Sequence, residues 1–323
     1  MNAALGAVQA DVTLDEVVVP PGVDTPTPVP PTSTPTPEPV SEVEPGQILF
    51  FSNRSFDEID YEGQPMEFTR HELYVMNADG SNQRRLSDGL AFYNTYDQAL
   101  TSDRNTLLIV HNNRLSRVDV ADPDLAAIGD PDGLVSVSWS PDDSQIAYTK
   151  WSSDQSAEQV WVMNADGTGS RQLTSNNKRT LFVDWSPDGN KLALPYDYQL
   201  HLMDPGGSTP VMIYDGFTRN LAWSPDGSMI AFEGENTPNG YHYNDMDIWV
   251  INADGSNPRN LTNSADVYDS APTWSPDGRS IVFGSMRSRE AGARTQIMKI
   301  DVATGEVTQL TTQGNNMVPL WVK

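Results

Sequence analysis

The chain has 323 residues with 44 acidic and 20 basic side chains, a formal charge of −24 at pH 7, and no cysteine. So negative a surface repels phosphate backbones and anionic membranes, and the missing cysteines exclude disulfide frameworks, thiolate zinc sites and cysteine nucleophiles. No apolar run approaches the ~18 residues that span a bilayer, and a hydrophobic content of 37% suits many short strands better than a helical enzyme core.

Residues 1–46 carry seven acidic side chains and no basic one, and ten of the 24 prolines lie between Pro20 and Pro45. A run such as Asp24-Thr-Pro-Thr-Pro-Val-Pro-Pro-Thr-Ser-Thr-Pro-Thr-Pro-Glu-Pro39 cannot build a core and favours extended polyproline geometry. We read residues 1–46 as a disordered acidic tether of the kind that holds a domain away from a membrane or wall. Its first ten residues end in Val8-Gln9-Ala10, which is cleavage-site-like but lacks a charged n-region before it, so residues 1–10 have two readings, the remnant of a signal peptide or the start of the disordered acidic segment.

From residue 47 the chain reads as short strands in two interleaved repeats. The opening strand, Gln47-Ile-Leu-Phe-Phe-Ser-Asn-Arg54, aligns with Ser280-Ile-Val-Phe-Gly-Ser-Met-Arg287 near the other end. Next comes Tyr74-Val-Met-Asn-Ala-Asp-Gly, a pattern that returns from Trp161 and from Trp249, each time leading to a short Arg-x-Leu strand. The other repeat begins weakly at Leu100-Thr-Ser-Asp-Arg. It then recurs as Trp139-Ser-Pro-Asp-Asp and as Trp-Ser-Pro-Asp-Gly from Trp185, Trp223 and Trp274, with a last mark at Trp321. Between Leu100 and Trp321 the spacing averages about 44 residues, the period of a four-stranded propeller blade. Each unit therefore reads strand A ending at Trp, tight turn, strand B, loop, strand C, tight turn, strand D. In the turns proline presets φ, aspartate bonds the backbone and glycine accepts a positive φ, so Asp188, Asp226 and Asp277 are expected to be turn formers and not catalytic groups. Trp139, Trp185, Trp223, Trp274 and Trp321 are expected between blades, with Trp161 and Trp249 in strand C. The opening blade lacks a strand A, and residues 318–323 are expected to supply it. The expected fold is all-β: a six-bladed propeller of four-stranded antiparallel blades over 47–323, its ring closed by that C-terminal strand without exposed edges.

The paired Trp-Ser-Pro-Asp-Gly and Asn-Ala-Asp-Gly turns resemble the β-propeller repeats of the TolB family, which is related to the propellers of prolyl-oligopeptidase-type enzymes. The resemblance spans about residues 47–323 and implies an extracytoplasmic propeller that binds protein partners of the cell envelope. The α/β domain that precedes the propeller in that family has no match in residues 1–46, so the likeness is to a TolB-like propeller.

Chemistry is sparse. No Gly-x-Ser-x-Gly nucleophile elbow occurs, which argues against a serine hydrolase. Some propellers that this one resembles hold a histidine-bound metal near the channel mouth, which keeps a metal-dependent lyase or hydrolase acting on a polysaccharide or peptide as the alternative. The weak candidates for such a site are His71 and His242, with Asp245, Asp247 and Asp269. His201 shares the column of Tyr74, Trp161 and Trp249, so packing is its expected role. No histidine has a recognised ligand spacing, and no catalytic residue or cofactor is assigned. Acidic residues at Asp57, Asp60, Glu62, Asp245, Asp247, Asp266 and Asp269 suit calcium by donor type, but no twelve-residue calcium loop is present and a solvated acidic rim is the default.

Strand order puts the tight A–B and C–D turns on one face and the B–C and D–A loops on the other. The loops at 54–71, 233–246 and 286–295 are the longest and fall on consecutive blades, forming a wall. Phe56, Tyr61, Phe68, Tyr241 and Tyr243, with Arg287, Arg289 and Arg294, make that wall rich in the residue types enriched at binding hot spots, and Trp151 joins them from another loop. The expectation is a monomeric, periplasmic or extracellular, non-enzymatic scaffold that recognises a protein or peptide on this face and no nucleic acid.

Overall fold

The computed structural model describes residues 43–54, 71–87, 92, 95–120, 125–127, 133–154, 156–175, 177–235, 245–264, 267–287 and 293–323. The tether and signal-remnant assignments over 1–42 fall outside them, as do Phe56, Tyr61, Phe68, Tyr241, Tyr243, His242 and Arg289. Every described element is a strand, and no helix among the described residues is long and apolar enough to cross a membrane.

The strands come in groups of four. The first group is β1 (Ile48–Ser52), β2 (Glu72–Met76) and β3 (Arg84–Arg85); the second is β4 (Thr95–Leu100), β5 (Thr106–His111), β6 (Arg114–Asp119) and β7 (Leu125–Ala127). Then follow β8 (Leu134–Trp139), β9 (Gln145–Trp151), β10 (Glu158–Asn164) and β11 (Arg171–Gln172), and β12 (Asp184–Trp185), β13 (Leu192–Tyr196), β14 (Gln199–Met203) and β15 (Val211–Phe217). The last two are β16 (Arg219–Trp223), β17 (Met229–Glu235), β18 (Met246–Asn252) and β19 (Arg259–Asn260), and β20 (Tyr268–Trp274), β21 (Ser280–Met286), β22 (Gln296–Asp301) and β23 (Val307–Gln309). The final strand, β24 (Asn316–Trp321), pairs antiparallel with β1, opposing Trp321 to Ile48, and completes the first group as a four-stranded sheet. Groups five and six meet in one eight-stranded sheet through a single parallel bridge, Met246 to Tyr268; no sheet closes on itself by hydrogen bonds.

Each sheet buries both faces, which is why the second strands read as continuous apolar runs. In β5, Leu107 and Ile109 pack with Leu49, Phe51 and Leu73 of the first group, while Leu108 and Val110 pack with Val137, Ile146 and Tyr148 of the third. Analogous clusters join the third group to the fourth, the fourth to the fifth and the fifth to the sixth. Val282, Ile297 and Leu310 of the sixth group pack against Ile48, Phe50, Met76 and Trp321 of the first.

Turn chemistry repeats with the sequence. Ser140, Ser186, Ser224 and Ser275 each donate Oγ–H to the aspartate two residues on, at 2.6 to 2.7 Å, and each accepts the N–H of the residue five places on, at or next to the start of the following strand. Thr101 does the same with Asp103 in the degenerate copy. Asp188, Asp226 and Asp277 spend their carboxylates in these turns, and those hydrogen bonds hold all three below the usual carboxylate range. In the C–D turns the N–H of Asn77, Asn164 and Asn252 reaches the carbonyl four residues on, through glycines at φ near +84°. The turn glycine is also a close-packing point: a Cβ on Gly255 would lie 2.3 Å from the Ile213 carbonyl oxygen of the preceding group.

Candidate functional site

The first strand of each group lies at the centre: β4 sits beside β8, β8 beside β12, β12 beside β16, β16 beside β20, and β20 and β4 beside β24. Together they enclose a cavity of about 300 Å³. Its wall comes from the positions one and three residues before each repeat mark: Ala99 and Asp97, Ser138 and Ser136, Asp184 and Phe182, Ala222 and Asn220, Thr273 and Ala271, Leu320 and Val318. Its rim is made by the tight A–B turns, including the exposed Pro141, and by the exposed Lys323. The concave feature thus lies toward the tight-turn face, opposite the loop wall singled out from sequence.

An inner strand has one edge with no partner strand, so its N–H groups need acceptors. The cavity's carboxylates and serines supply them in sequence around the centre. Asp97 Oδ2 accepts Ser136 Oγ–H (2.8 Å) and Val137 N–H (3.0 Å), and its Oδ1 accepts Gln98 N–H (2.9 Å). Ser138 donates to Asp184 Oδ1 (2.8 Å) and accepts Trp185 N–H (3.1 Å), while Asp184 Oδ2 accepts Trp223 N–H at 2.8 Å. Burial pushes the Asp97 carboxyl up to about 7; hydrogen bonds from Val137, Ser136 and Gln98 oppose it, and the neighbouring Asp184 charge adds to it. Asp184 is also raised by burial, against the Lys323 charge and the same kinds of hydrogen bond. The site is a polar, acidic socket in an apolar surround, suited to holding a positive group.

Above it, buried Glu233 accepts Ala271 N–H at 2.9 Å. Ala271 sits at φ +52° before Pro272, and Val318 at φ +47° before Pro319, so both pre-proline residues are held in the left-handed region. The Glu233 carboxyl is raised by burial, opposed by the Arg219 charge, and Arg219 Nη1 donates to Tyr268 OH at 3.4 Å.

On the loop face, Trp151 ends β9 half-buried with the Arg179 guanidinium 5.4 Å from its ring centroid. Arg179 donates two bonds to the fully buried Glu158 carboxylate, at 2.8 and 3.1 Å, and one to Tyr198 OH at 3.0 Å. Tyr198 stacks on Phe217, centroids 5.0 Å apart and planes within 12°. Trp151, Arg179, Tyr198 and Phe217 thus form one half-exposed aromatic and cationic ledge, of which only Trp151 was singled out from sequence. Arg287 and Arg294 are exposed, just after β21 and just before β22.

Of the metal candidates, His242 lies outside the described residues and Asp245 directly precedes β18, which carries Asp247. His71 is fully buried, bridges to Phe92 through its backbone and has no partner on either ring nitrogen among the described residues; burial lowers it to about 4. Asp247 and Asp269 do meet, through Ser264 Oγ at 3.3 and 3.2 Å. Asp247, however, occupies the position of Gln159 and Gln296 in a repeated latch. Thr174, Thr262 and Thr311 each accept a strand-C N–H and donate to the side chain at that position, at 2.9 to 3.0 Å. Among the described residues no three histidine or acidic side chains converge as a ligand group. His201 packs edge-on against Tyr196, with Nδ1 2.8 Å from the Gln199 carbonyl.

These features define an all-β, propeller-like protein with a central acidic cavity. Residues 199–322 match the family model of the TolB β-propeller domain, and the fold is TolB-like. The crystal structure of TolB from Acinetobacter baumannii superposes with a TM-score of 0.66 over 86% of this chain and 66% of that one, at 18% identity, a likeness of fold. Dipeptidyl-peptidase 5 of Porphyromonas gingivalis is 26% identical over 74% of this chain and 36% of its own length. Tol-Pal system protein TolB of Bordetella pertussis is 32% identical over 41% of this chain and 30% of its own. The first of the curated relatives that it matches are spanned over only 33% to 50% of their length.

Proposed function

We propose that this chain is a non-enzymatic, extracytoplasmic binding scaffold: a six-bladed propeller over residues 47–323, held on the proline-rich tether of 1–46, that recognises a protein or peptide of the cell envelope on its long-loop face. The observation that carries the reading is the TolB-like fold combined with half-exposed aromatic and arginine side chains at the loop ends of rigid sheets, where binding residues concentrate. Six strand groups, with clusters that join the sixth to the first, support the blade count. Likeness to TolB proteins supports a periplasmic location and an envelope partner.

The test is crosslinking capture from the envelope fraction with the whole chain as bait, beside a Trp151→Ala, Arg287→Glu, Arg294→Glu variant of unchanged melting temperature. The reading expects a protein captured by the native chain and lost with the variant; identical capture by both refutes the loop face. A second reading, a propeller portion of a peptide-cleaving enzyme, draws on the match to dipeptidyl-peptidase 5 across 74% of this chain. Release of dipeptides from chromogenic substrates, or activity abolished by EDTA, would favour it.

A further inference from the structure

We infer that Asp215 is a modification site: with Gly216 it converts spontaneously to isoaspartate, alone among the Asp-Gly pairs whose two residues are both described. The site lies on the outer strand β15 and stands independently of the reading above. In this reaction the amide nitrogen that follows an aspartate attacks its side-chain carboxyl. The bond from nitrogen to Cγ forms, the Cγ–OH bond breaks, and the hydroxyl leaves as water with the amide proton, giving a five-membered succinimide. Water then reopens the ring. Cleavage between nitrogen and Cγ restores aspartate; cleavage between nitrogen and the main-chain carbonyl carbon routes the chain through the side chain and frees that carbonyl as a carboxylate. No further reactant is needed.

A glycine after the aspartate leaves the attacking nitrogen unhindered, so by sequence the pairs opened by Asp79, Asp166, Asp188, Asp226, Asp254 and Asp277 are as reactive as Asp215-Gly216. The fold separates them. In those six tight turns the carboxylate accepts the N–H two residues on, at 2.9 to 3.1 Å. It also accepts a serine or threonine Oγ–H at 2.6 to 2.7 Å. The glycine of each pair donates its own N–H to the carbonyl three residues back, at 2.8 to 2.9 Å. Carboxyl and nitrogen are therefore both tied, and tied apart. The same bonds hold all six carboxyls below the usual range, in the ionised form from which water cannot leave.

Asp215 stands outside this protection. It is exposed, and among the described residues no group donates to its carboxylate. Asp215 and Gly216 fall between the register points Leu200–Tyr214 and Gln199–Phe217, so neither has a partner residue in β14. Packing, not a turn, requires the glycine: its φ is not positive, and a Cβ there would run into the Tyr214 ring, which packs 5.5 Å from the Phe232 ring of the next group. An isoaspartyl link adds one methylene to the main chain two residues before Phe217. Phe217 carries Tyr198, whose hydroxyl accepts from Arg179, so the modification withdraws the support of the aromatic ledge.

The test ages the full native chain, folded, at pH 6 and below its melting temperature, and locates isoaspartate by mass spectrometry with electron-transfer fragmentation, which tells the two isomers apart at each site. Three hydrogen bonds must break before a turn pair can react, and each is worth a factor of about five. Isoaspartate is therefore expected at Asp215 at a level at least roughly tenfold above that at any of the six turn pairs. In concentrated urea, where the turns are gone, all seven should react within about threefold of one another. Asp215→Glu keeps the charge at this exposed position but needs a six-membered ring to close, and serves as the unreactive control. Hydrogen exchange over residues 211–219 should quicken in the aged native chain and not in the aged variant. No isoaspartate at Asp215, a turn pair modified as fast in the folded chain, or a contrast that persists in urea each overturns the inference. Exchange that is unchanged in the aged native chain, or that quickens equally in the variant, overturns the link to the ledge.

Discussion

Replacing Asp97 by asparagine should flatten the pH dependence of stability, and the expected size follows from its surroundings. In the folded chain burial raises the carboxyl from 3.8 to about 7. A folded pKa above the unfolded one means that the native state holds a proton more tightly, so stability is greatest with the proton on and falls as pH rises from about 4 to about 7. At about 1.4 kcal/mol per pH unit, a span of about three units amounts to about 4 kcal/mol, an upper bound because water in the cavity partly solvates the ionised form. Asp184, raised for the same reason, adds in the same direction. The turn aspartates act oppositely but in another window: with Asp142 lowered to about 2, their contribution is lost only as pH falls below about 4. Urea unfolding of the native chain and of Asp97→Asn at pH 5, 6, 7 and 8 isolates the effect. The native chain should lose stability relative to the variant by about 1–3 kcal/mol across that range, nearly all of it between pH 5 and pH 7. A constant difference between the two, or one that grows in the native chain's favour as pH rises, refutes the description of Asp97 as a buried carboxylate under desolvation.

Trp321→Ala removes a buried indole from the cluster that joins the sixth group to the first, together with its Nε1–H bond to the Gly46 carbonyl (3.1 Å); a loss of about 3–5 kcal/mol is expected, and a melting temperature lowered by less than about 5 °C would contradict that packing. Thr262→Val takes the acceptor from Ile248 N–H and a donor from Asp247, and should cost about 1–3 kcal/mol in denaturant titration, with Thr262→Ser nearly neutral. Gly255→Ala meets both a φ of +85° and the Ile213 carbonyl at 2.3 Å, whereas Gly305→Ala meets a φ of +75° with open space around it. The first should therefore destabilise clearly more than the second, whose cost is about 1 kcal/mol; equal melting temperatures would refute the contact.

Much of the fold was legible in the chain because its turns are local chemistry. Ser-Pro-Asp-Gly closes locally, its serine hydroxyl bound to the motif's own aspartate and to the N–H five places on, so its recurrence marks strand pairs wherever it occurs. Tryptophan before each turn and doubly buried runs such as Leu107–Val110 likewise declared propeller-like sheets stacked face to face. The central site was not legible in the same way. Asp97 and Asp184 stand three places and one place before a repeat mark, where sister groups carry Ala271 or Val318 and Ala222; the departures are visible, but nothing local says that those positions face a common cavity. Only the convergence of six first strands, distant in sequence, brings the carboxylates, Gln98 and Lys323 to one point and excludes enough water to move Asp97 toward neutrality. The same holds for Asp247, which read as a cation ligand by residue type and is drawn by the tertiary fold into a latch with Thr262. Sequence determined the elements and their turns because those depend on neighbours along the chain; tertiary structure decided the site because charge and burial depend on neighbours in space.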